Sequence, residues 1–159
     1  MLEKFLYYLT KAAKRHDPYI WGAQGEKVKR LTKTQIKNME TSETNYERVM
    51  QYIAMLISFR WLTKRVRAFD CSGLVCFYLV KVGREGKDFD MTADNLAKRY
   101  PLSSELKPGM LLHRSGHIAV YMGHSHLIEA KGRDYGVVVS PFIKSEWDST
   151  YADPFANER

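Results

Sequence analysis

The sequence predicts an α+β fold in a single domain spanning residues 1–159. Runs with helical spacing fill roughly the first hundred residues, and short strand-like runs separated by turn residues follow them. The chain has 159 residues, 45% hydrophobic and 13% aromatic, enough for one proper core. There are no internal repeats and no low-complexity tract.

Residues 2–15 read as a helix, with Leu2, Phe5, Leu6 and Leu9 on one face. Asp17-Pro18 stops it, because the residue before a proline is steered out of the helical region. "YIWG" at 19–22 reads as a short strand or loop at the edge of the core, and residues 25–40 are polar and basic. Thr44-x-x-Glu47 reads as a capping box opening the longest helix, Asn45 to about Arg65. Its stripe is Tyr46, Val49, Met50, Ile53 and Ile57, widened by Tyr52, Met55, Leu56 and Phe59, so a mostly buried helix is expected. Leu74–Val82 continues a helix opened at Asp70-Cys71 and ended by Gly83 and Gly86. Met91–Tyr100 is a short helix capped by Thr92 and closed by Pro101, and Pro108-Gly109 is a turn. Strands are expected at about Met110–His113, His117–Met122, Leu127–Ala130 and Gly136–Phe142.

Composition narrows the function classes. The 25 basic residues against 18 acidic give +7, a surface that favours polyanions such as nucleic acid, anionic lipid or anionic wall polymers. The excess is spread along the chain and no nucleic-acid-binding signature accompanies it, so no nucleic-acid partner is expected. Two cysteines cannot make a disulfide framework or a zinc site, and both are expected to be reduced, with no metal and no organic cofactor implied. No segment approaches the ~20 apolar residues of a membrane span. The N-terminal apolar patch lacks a signal-peptide cleavage pattern, so synthesis in the cytoplasm without a classical export signal is expected.

The chemistry concentrates in "FDCSGLVCFYLV", Phe69–Val80, which holds both cysteines. Asp70 is placed to cap the helix, and Cys71 then sits in its first turn. The positive end of the helix dipole stabilises a thiolate there, and free N–H groups beside the sulfur suit an oxyanion. An inert core thiol fits the four residues "DCSG" equally well. Cys76, mid-helix among apolar neighbours, reads as packing. A thiolate nucleophile needs a base, and there are five histidines. His117, in "SGHIAVYMG", shares a strand face with Ala119 and Tyr121, and Ala119 leaves room beside its imidazole. His16 reads as a helix-end cation, His113 as a surface residue, and His124 and His126 as exposed flanks of a hairpin turn. With Gly123, His124 and Ser125 as the loop, Met122 faces His126 and Ala119 faces Glu129. Glu129 is then diagonal to His117, where a carboxylate orients the ring and stabilises its charged form.

Five blocks in order, "PYIWG", "FDCSGLVCFYL", "LKPGMLL", "GHIAVYMG" and "LIEAKGRDYGVVV", resemble the NlpC/p60-type cell-wall cysteine peptidases. The resemblance runs from about Pro18 to Phe142, interrupted by residues 25–68. It implies a papain-like NlpC-type domain, with the catalytic cysteine at a helix N-terminus packed on an antiparallel β-sheet and residues 26–66 as a helical insertion. Cys71 matches the nucleophile, His117 the base, and Glu129 the third polar residue, more often histidine, asparagine or glutamine in the family. Tyr19 matches the tyrosine that binds substrate and steadies the oxyanion. The usual Gly-Asp after the turn is Gly109-Met110 here. The implied activity is a peptidoglycan hydrolase, a thiol endopeptidase cleaving the stem peptide at the D-glutamyl–diamino acid bond. The alternatives are an N-acetylmuramoyl-L-alanine amidase or another Cys–His acyl-transfer enzyme and, from a different class, a non-catalytic wall-binding or structural module of a phage particle. The partner expected is the peptidoglycan stem peptide, met at the cell wall, and the missing export signal fits a phage or prophage lysin, a virion component, or a protein released by another route.

Overall fold

The computed structural model describes all of residues 1–159. Helix α1, Leu2–Lys14, buries Phe5, Leu9 and Ala12, one residue per turn along a single stripe. The chain leaves it through His16, at φ 57, and the buried Asp17, which holds Arg15 at 2.6 Å and accepts the Arg67 N–H. Tyr19 then bridges to Phe69, so "YIWG" lies against the entry to the cysteine helix.

Strand β1, Gln24–Lys27, leads into a segment that returns as its antiparallel partner β2, Arg67–Phe69. Between them lie a 3₁₀ turn at Val28–Arg30 and helices α2, Lys33–Met39, and α3, Glu43–Ser58. Helix α2 starts on a capping box of Thr32 and Gln35 that opens a polar stretch. The cap of α3 is Ser42, accepting the Asn45 N–H, rather than the expected Thr44. This helix also ends seven residues before Arg65. Arg60 takes a left-handed φ of 58, and the Arg60 and Trp61 N–H groups close back on Ile57 and Leu56, satisfying the last carbonyls. The buried face is therefore Val49, Tyr52, Ile53 and Leu56, while Ile57 and Phe59 are each 59% exposed. With Ile20, Ala23, Val28, Ile36, Val66 and Ala68 these side chains form a cluster of their own. Residues 26–66 are thus packed on the "YIWGA" loop beside the cysteine helix.

Helix α4, Cys71–Lys81, is buried on nearly every side: Cys71, Leu74, Val75, Cys76, Tyr78 and Leu79 all face protein. Gly83, at φ +78, ends it. Helix α5, Ala93–Arg99, is capped by Thr92, whose hydroxyl accepts the Asn95 N–H. The remaining elements are strands β3, Leu102–Ser103, β4, Leu111–Arg114, β5, His117–Gly123, β6, His126–Gly132, β7, Gly136–Pro141, and β8, Tyr151–Ala152. They form one antiparallel sheet in the order β3-β8-β4-β5-β6-β7. One sheet face packs on α4 and α1 through Leu111, Ile118, Val120, Ile128, Ala130 and Val137. The other is covered by Trp147 and Tyr151, over Leu112, Ala119 and Leu127.

The β5–β6 hairpin differs from the expected loop in an informative way. The loop is His124-Ser125 alone, at φ 50 and 58, the left-handed pair of a two-residue hairpin turn, and Gly123 faces His126. A bulge between Tyr121 and Gly123 takes up the extra residue, so Val120 still pairs with Ile128. That register places Glu129 diagonal to His117.

The start of α4 has no slack. A Cβ at Gly73 would overlap the Ala23 carbonyl oxygen and crowd the Asp70 carboxylate. Gly73→Ala should destabilise the protein by about 3 kcal/mol, because the obstacle is backbone that cannot swing away. Urea unfolding of the variant measures this. No helix is long and apolar enough to cross a membrane.

Candidate active site

Cys71 is the first residue of α4. Asp70, its N-cap, uses both carboxylate oxygens: Oδ1 accepts the Gly73 N–H at 2.7 Å and Oδ2 the Gly22 N–H at 3.0 Å. One side chain therefore fixes the helix start and the "YIWG" loop that carries Tyr19. The Cys71 Sγ is buried and lies 3.8 Å from the Gly116 carbonyl, the residue just before His117.

A helix terminus by itself would lower the thiol pKa. In the folded protein the net shift is upward. Burial, then the nearby Asp70 carboxylate, push it up, and they outweigh the Ile118, Ser72 and Cys71 N–H groups that favour the anion. A thiolate here therefore depends on a cationic partner rather than on the helix alone.

His117 is the first residue of β5, and its Nε2 is 2.6 Å from Glu129 Oε2. The other ring nitrogen, Nδ1, makes no hydrogen bond within the protein. Glu129 is 4% exposed, and its Oε1 accepts the Ser140 hydroxyl at 2.7 Å. Burial pushes the Glu129 pKa up, but the bonds from His117 and Ser140 more than offset it, holding the group ionised. Trp147 packs beside His117, with ring centroids 5.8 Å apart. The structure thus brings His117 and Glu129 into direct contact and puts the Cys71 sulfur against the strand turn that presents His117.

The cleft above the sulfur, about 260 Å³, is lined by Tyr19, Trp21, Ser72, Thr92, Asp94 and Gly116, among others. Tyr19 is 7% exposed, and burial, with Cys71 and Asp70 nearby, raises its hydroxyl pKa, so it stays a neutral donor. No cluster of three or more His, Cys, Asp or Glu side chains is placed to hold a metal. Met110, in place of the usual acid, is 2% exposed in the sheet's outer cluster.

Sequence reasoning missed two supports. Glu40, from the segment between β1 and β2, accepts the Trp21 N–H at 2.9 Å and the Arg133 Nε–H at 2.7 Å. The Arg133 guanidinium in turn covers the Tyr19 ring at 5.4 Å. The Glu40 side chain is fully buried, so Arg133→Ala would strand a buried charge. It should cost about 3 kcal/mol of stability, read from the urea midpoint, with Glu40→Gln costing less.

The second support is His113, read from the sequence as a surface residue. It is held between two carboxylates, Asp94 at 2.8 Å and Asp148 at 2.6 Å. Asp94 also accepts the Gly116 N–H at 2.9 Å, tying α5 to the turn beside the thiol. Burial lowers the His113 pKa, but the two carboxylates outweigh it and the net shift is upward. A raised folded pKa means the stabilisation is complete below the ordinary value, near 6.5, and is lost as pH rises through the folded value. His113→Gln should therefore cost more stability at about pH 5.5 than at about pH 8.5. Urea unfolding of both proteins at the two pH values measures it.

Comparison with known proteins agrees with this arrangement. The sequence model of the NlpC/P60 family matches residues 57–155. Among solved structures, the peptidoglycan hydrolase RipB from Mycobacterium tuberculosis superposes with a TM-score of 0.62 at 21% identity, covering 96% of this chain and 66% of that one. This chain thus spans a little under two thirds of RipB. The P60 domain of the antigen MAP1204 from M. avium subspecies paratuberculosis gives 0.57 at 18% identity, covering 96% of both chains. These two likenesses establish the fold, and no curated protein matches the sequence. With well over half of its length matched by the family model, the chain belongs to the NlpC/P60 family, whose members are peptidoglycan hydrolases of the cysteine-peptidase type.

Proposed function

We propose that the protein is a thiol endopeptidase that cleaves peptidoglycan stem peptides at the D-glutamyl–diamino acid bond. The observation that carries the mechanism is the 2.6 Å bond between His117 and the buried, ionised Glu129, with the Cys71 sulfur beside the same strand turn.

His117 takes the Cys71 proton, and the sulfur adds to the stem-peptide carbonyl. The oxyanion is held by the Cys71 backbone N–H and the Tyr19 hydroxyl. Collapse breaks the C–N bond, and His117 gives its proton to the leaving amine. The acyl group remains as a thioester on Cys71. His117 then deprotonates a water that attacks the thioester, and the returning proton restores the thiol. Glu129 touches no reacting atom. It positions the ring and, as an anion, stabilises the charge the ring carries in both halves of the cycle. The +7 surface suits an anionic wall.

Digestion of purified walls, with fragments identified by mass spectrometry, tests this reading. The expected products are stem peptides cut between D-glutamate and the diamino acid, with a new amine on the latter. Release at the muramoyl–L-alanine bond would make the protein an amidase. Intact stems after digestion would make it a non-catalytic module.

A further inference from the structure

A second concave surface lies at the other end of α4 from the thiol. It is a groove of about 660 Å³ between α1, the chain entering β2 and the last turns of α4. Lys11, Lys27, Lys64, Arg65 and Lys81 line it without a single ion pair among them, and no acidic side chain lines it. Outside the groove several basic residues are paired, Arg48 with Asp134, Arg99 with Glu85, Arg133 with Glu40 and Arg159 with Asp153. Of the groove's own basic residues only Arg15 is paired, with the fully buried Asp17. Arg15 also donates to the Tyr78 hydroxyl at 2.9 Å, and Arg67 donates to the Gly25 carbonyl, so both guanidinium groups are fixed in place. Burial, and then the Arg67 and Arg15 charges, lower the Lys81 pKa, as expected of uncompensated crowding.

The aromatic rings of the groove show what kind of anion it suits. The Lys11 ammonium lies over Tyr7 at 5.2 Å and that of Lys81 over Tyr8 at 4.6 Å, while Tyr8 stacks on Tyr78 at 5.8 Å. These faces steady ammonium groups and are not left open for bases to stack on, unlike a single-strand nucleic-acid platform. The groove reads charge.

We propose that this groove binds a linear phosphate-bearing chain without nucleobases, at a site separate from the catalytic cleft. Helix α4 has 11 residues, which sets its ends about 15 Å apart, so a bound chain leaves Cys71 accessible. Much of the groove, Tyr7, Tyr8, Lys11, Arg15 and Lys27, comes from sequence outside the matched residues 57–155. The proposal stands whether or not the cleft hydrolyses peptidoglycan, because its test reads binding alone.

The test is calorimetric titration of the full chain with poly(glycerol phosphate), short-chain inorganic polyphosphate and oligothymidylate, matched in phosphate number, between about 50 and 200 mM salt. Both base-free chains should bind, more weakly as salt rises. The tighter of the two identifies the source as a polyol phosphate or a free polyphosphate. The triple variant Lys11→Gln, Lys64→Gln, Lys81→Gln should lose at least tenfold in affinity and show a shallower salt slope, by about one per lysine removed. Its Cys71 alkylation rate should be unchanged, which checks the fold. A control triple, Lys33→Gln, Lys87→Gln, Lys144→Gln, removes the same charge elsewhere and should lose little. Equal loss in the two triples, absence of binding, or tighter binding of oligothymidylate would overturn the proposal.

Discussion

In the proposed mechanism Cys71→Ala should abolish wall hydrolysis, by roughly 10⁴-fold or more, while the protein stays folded. The size of the effect follows from the chemistry, since without the sulfur no thioester forms and His117 has no nucleophile to activate. The fold should survive because the exchange removes one buried atom, at a cost of about 1 kcal/mol. Cys76→Ala is the matched control. Its thiol is 1% exposed, and burial pushes its pKa to about 12, so it stays protonated and takes no part in catalysis. That variant should lose a similar amount of stability and almost no activity. Circular dichroism with wall-clearing rates measures both. Clearing by a folded Cys71→Ala protein would remove the thiol mechanism altogether.

Glu129→Ala should lower kcat by roughly 10²–10³-fold and Glu129→Gln by about tenfold or less, with KM little changed in either. The structure explains the asymmetry. Glu129 accepts two bonds, from His117 at 2.6 Å and from Ser140 at 2.7 Å. A glutamine oxygen can keep the first. Its amide N–H₂ then faces the Ser140 hydroxyl, which turns to become the acceptor. Alanine leaves both partners buried and unpaired, about 1–3 kcal/mol each, and releases the ring. Glu129 is 4% exposed and does not line the cleft at Cys71, so the loss should fall in kcat. Its pKa lies below the ordinary range, so the stability it contributes is present above the unfolded value and is lost only as pH falls through the folded one. Equal activity of wild type and both variants from about pH 5 to 9 would leave His117 without an orienting partner.

Periodicity made some of the fold legible. Helices α1, α4 and α5 and strands β4–β7 have apolar spacing long enough to show, and their turns carry Gly or Pro. Helix α2 buries only Ile36, so it has no stripe to read, although its Thr32/Gln35 capping box was present. Strands β3 and β8 are two residues each, too short for alternation. The early end of α3 depends on Arg60 adopting a left-handed turn, which nothing in its side chain announces.

The site divides along the same line. Cys71 sits in a local helix-start pattern, and His117 and Glu129 are twelve residues apart on one hairpin, close enough for register reasoning. Glu40 and Arg133 are 93 residues apart, and only the folded chain places that pair over Tyr19. The upward shift of the thiol pKa is not legible because the sequence displays the helix terminus but not the burial that outweighs it.

Iodoacetamide labelling near neutral pH, with sites mapped by mass spectrometry and hydrolysis followed on the same samples, tests the central claim most directly. Cys71 should acquire one carboxamidomethyl group, Cys76 none, and wall hydrolysis should fall in step with Cys71 labelling. The labelling rate should also drop in Glu129→Ala, because in the proposed mechanism Glu129 orients the ring that takes the Cys71 proton. Complete labelling of Cys71 with hydrolysis intact would contradict the account.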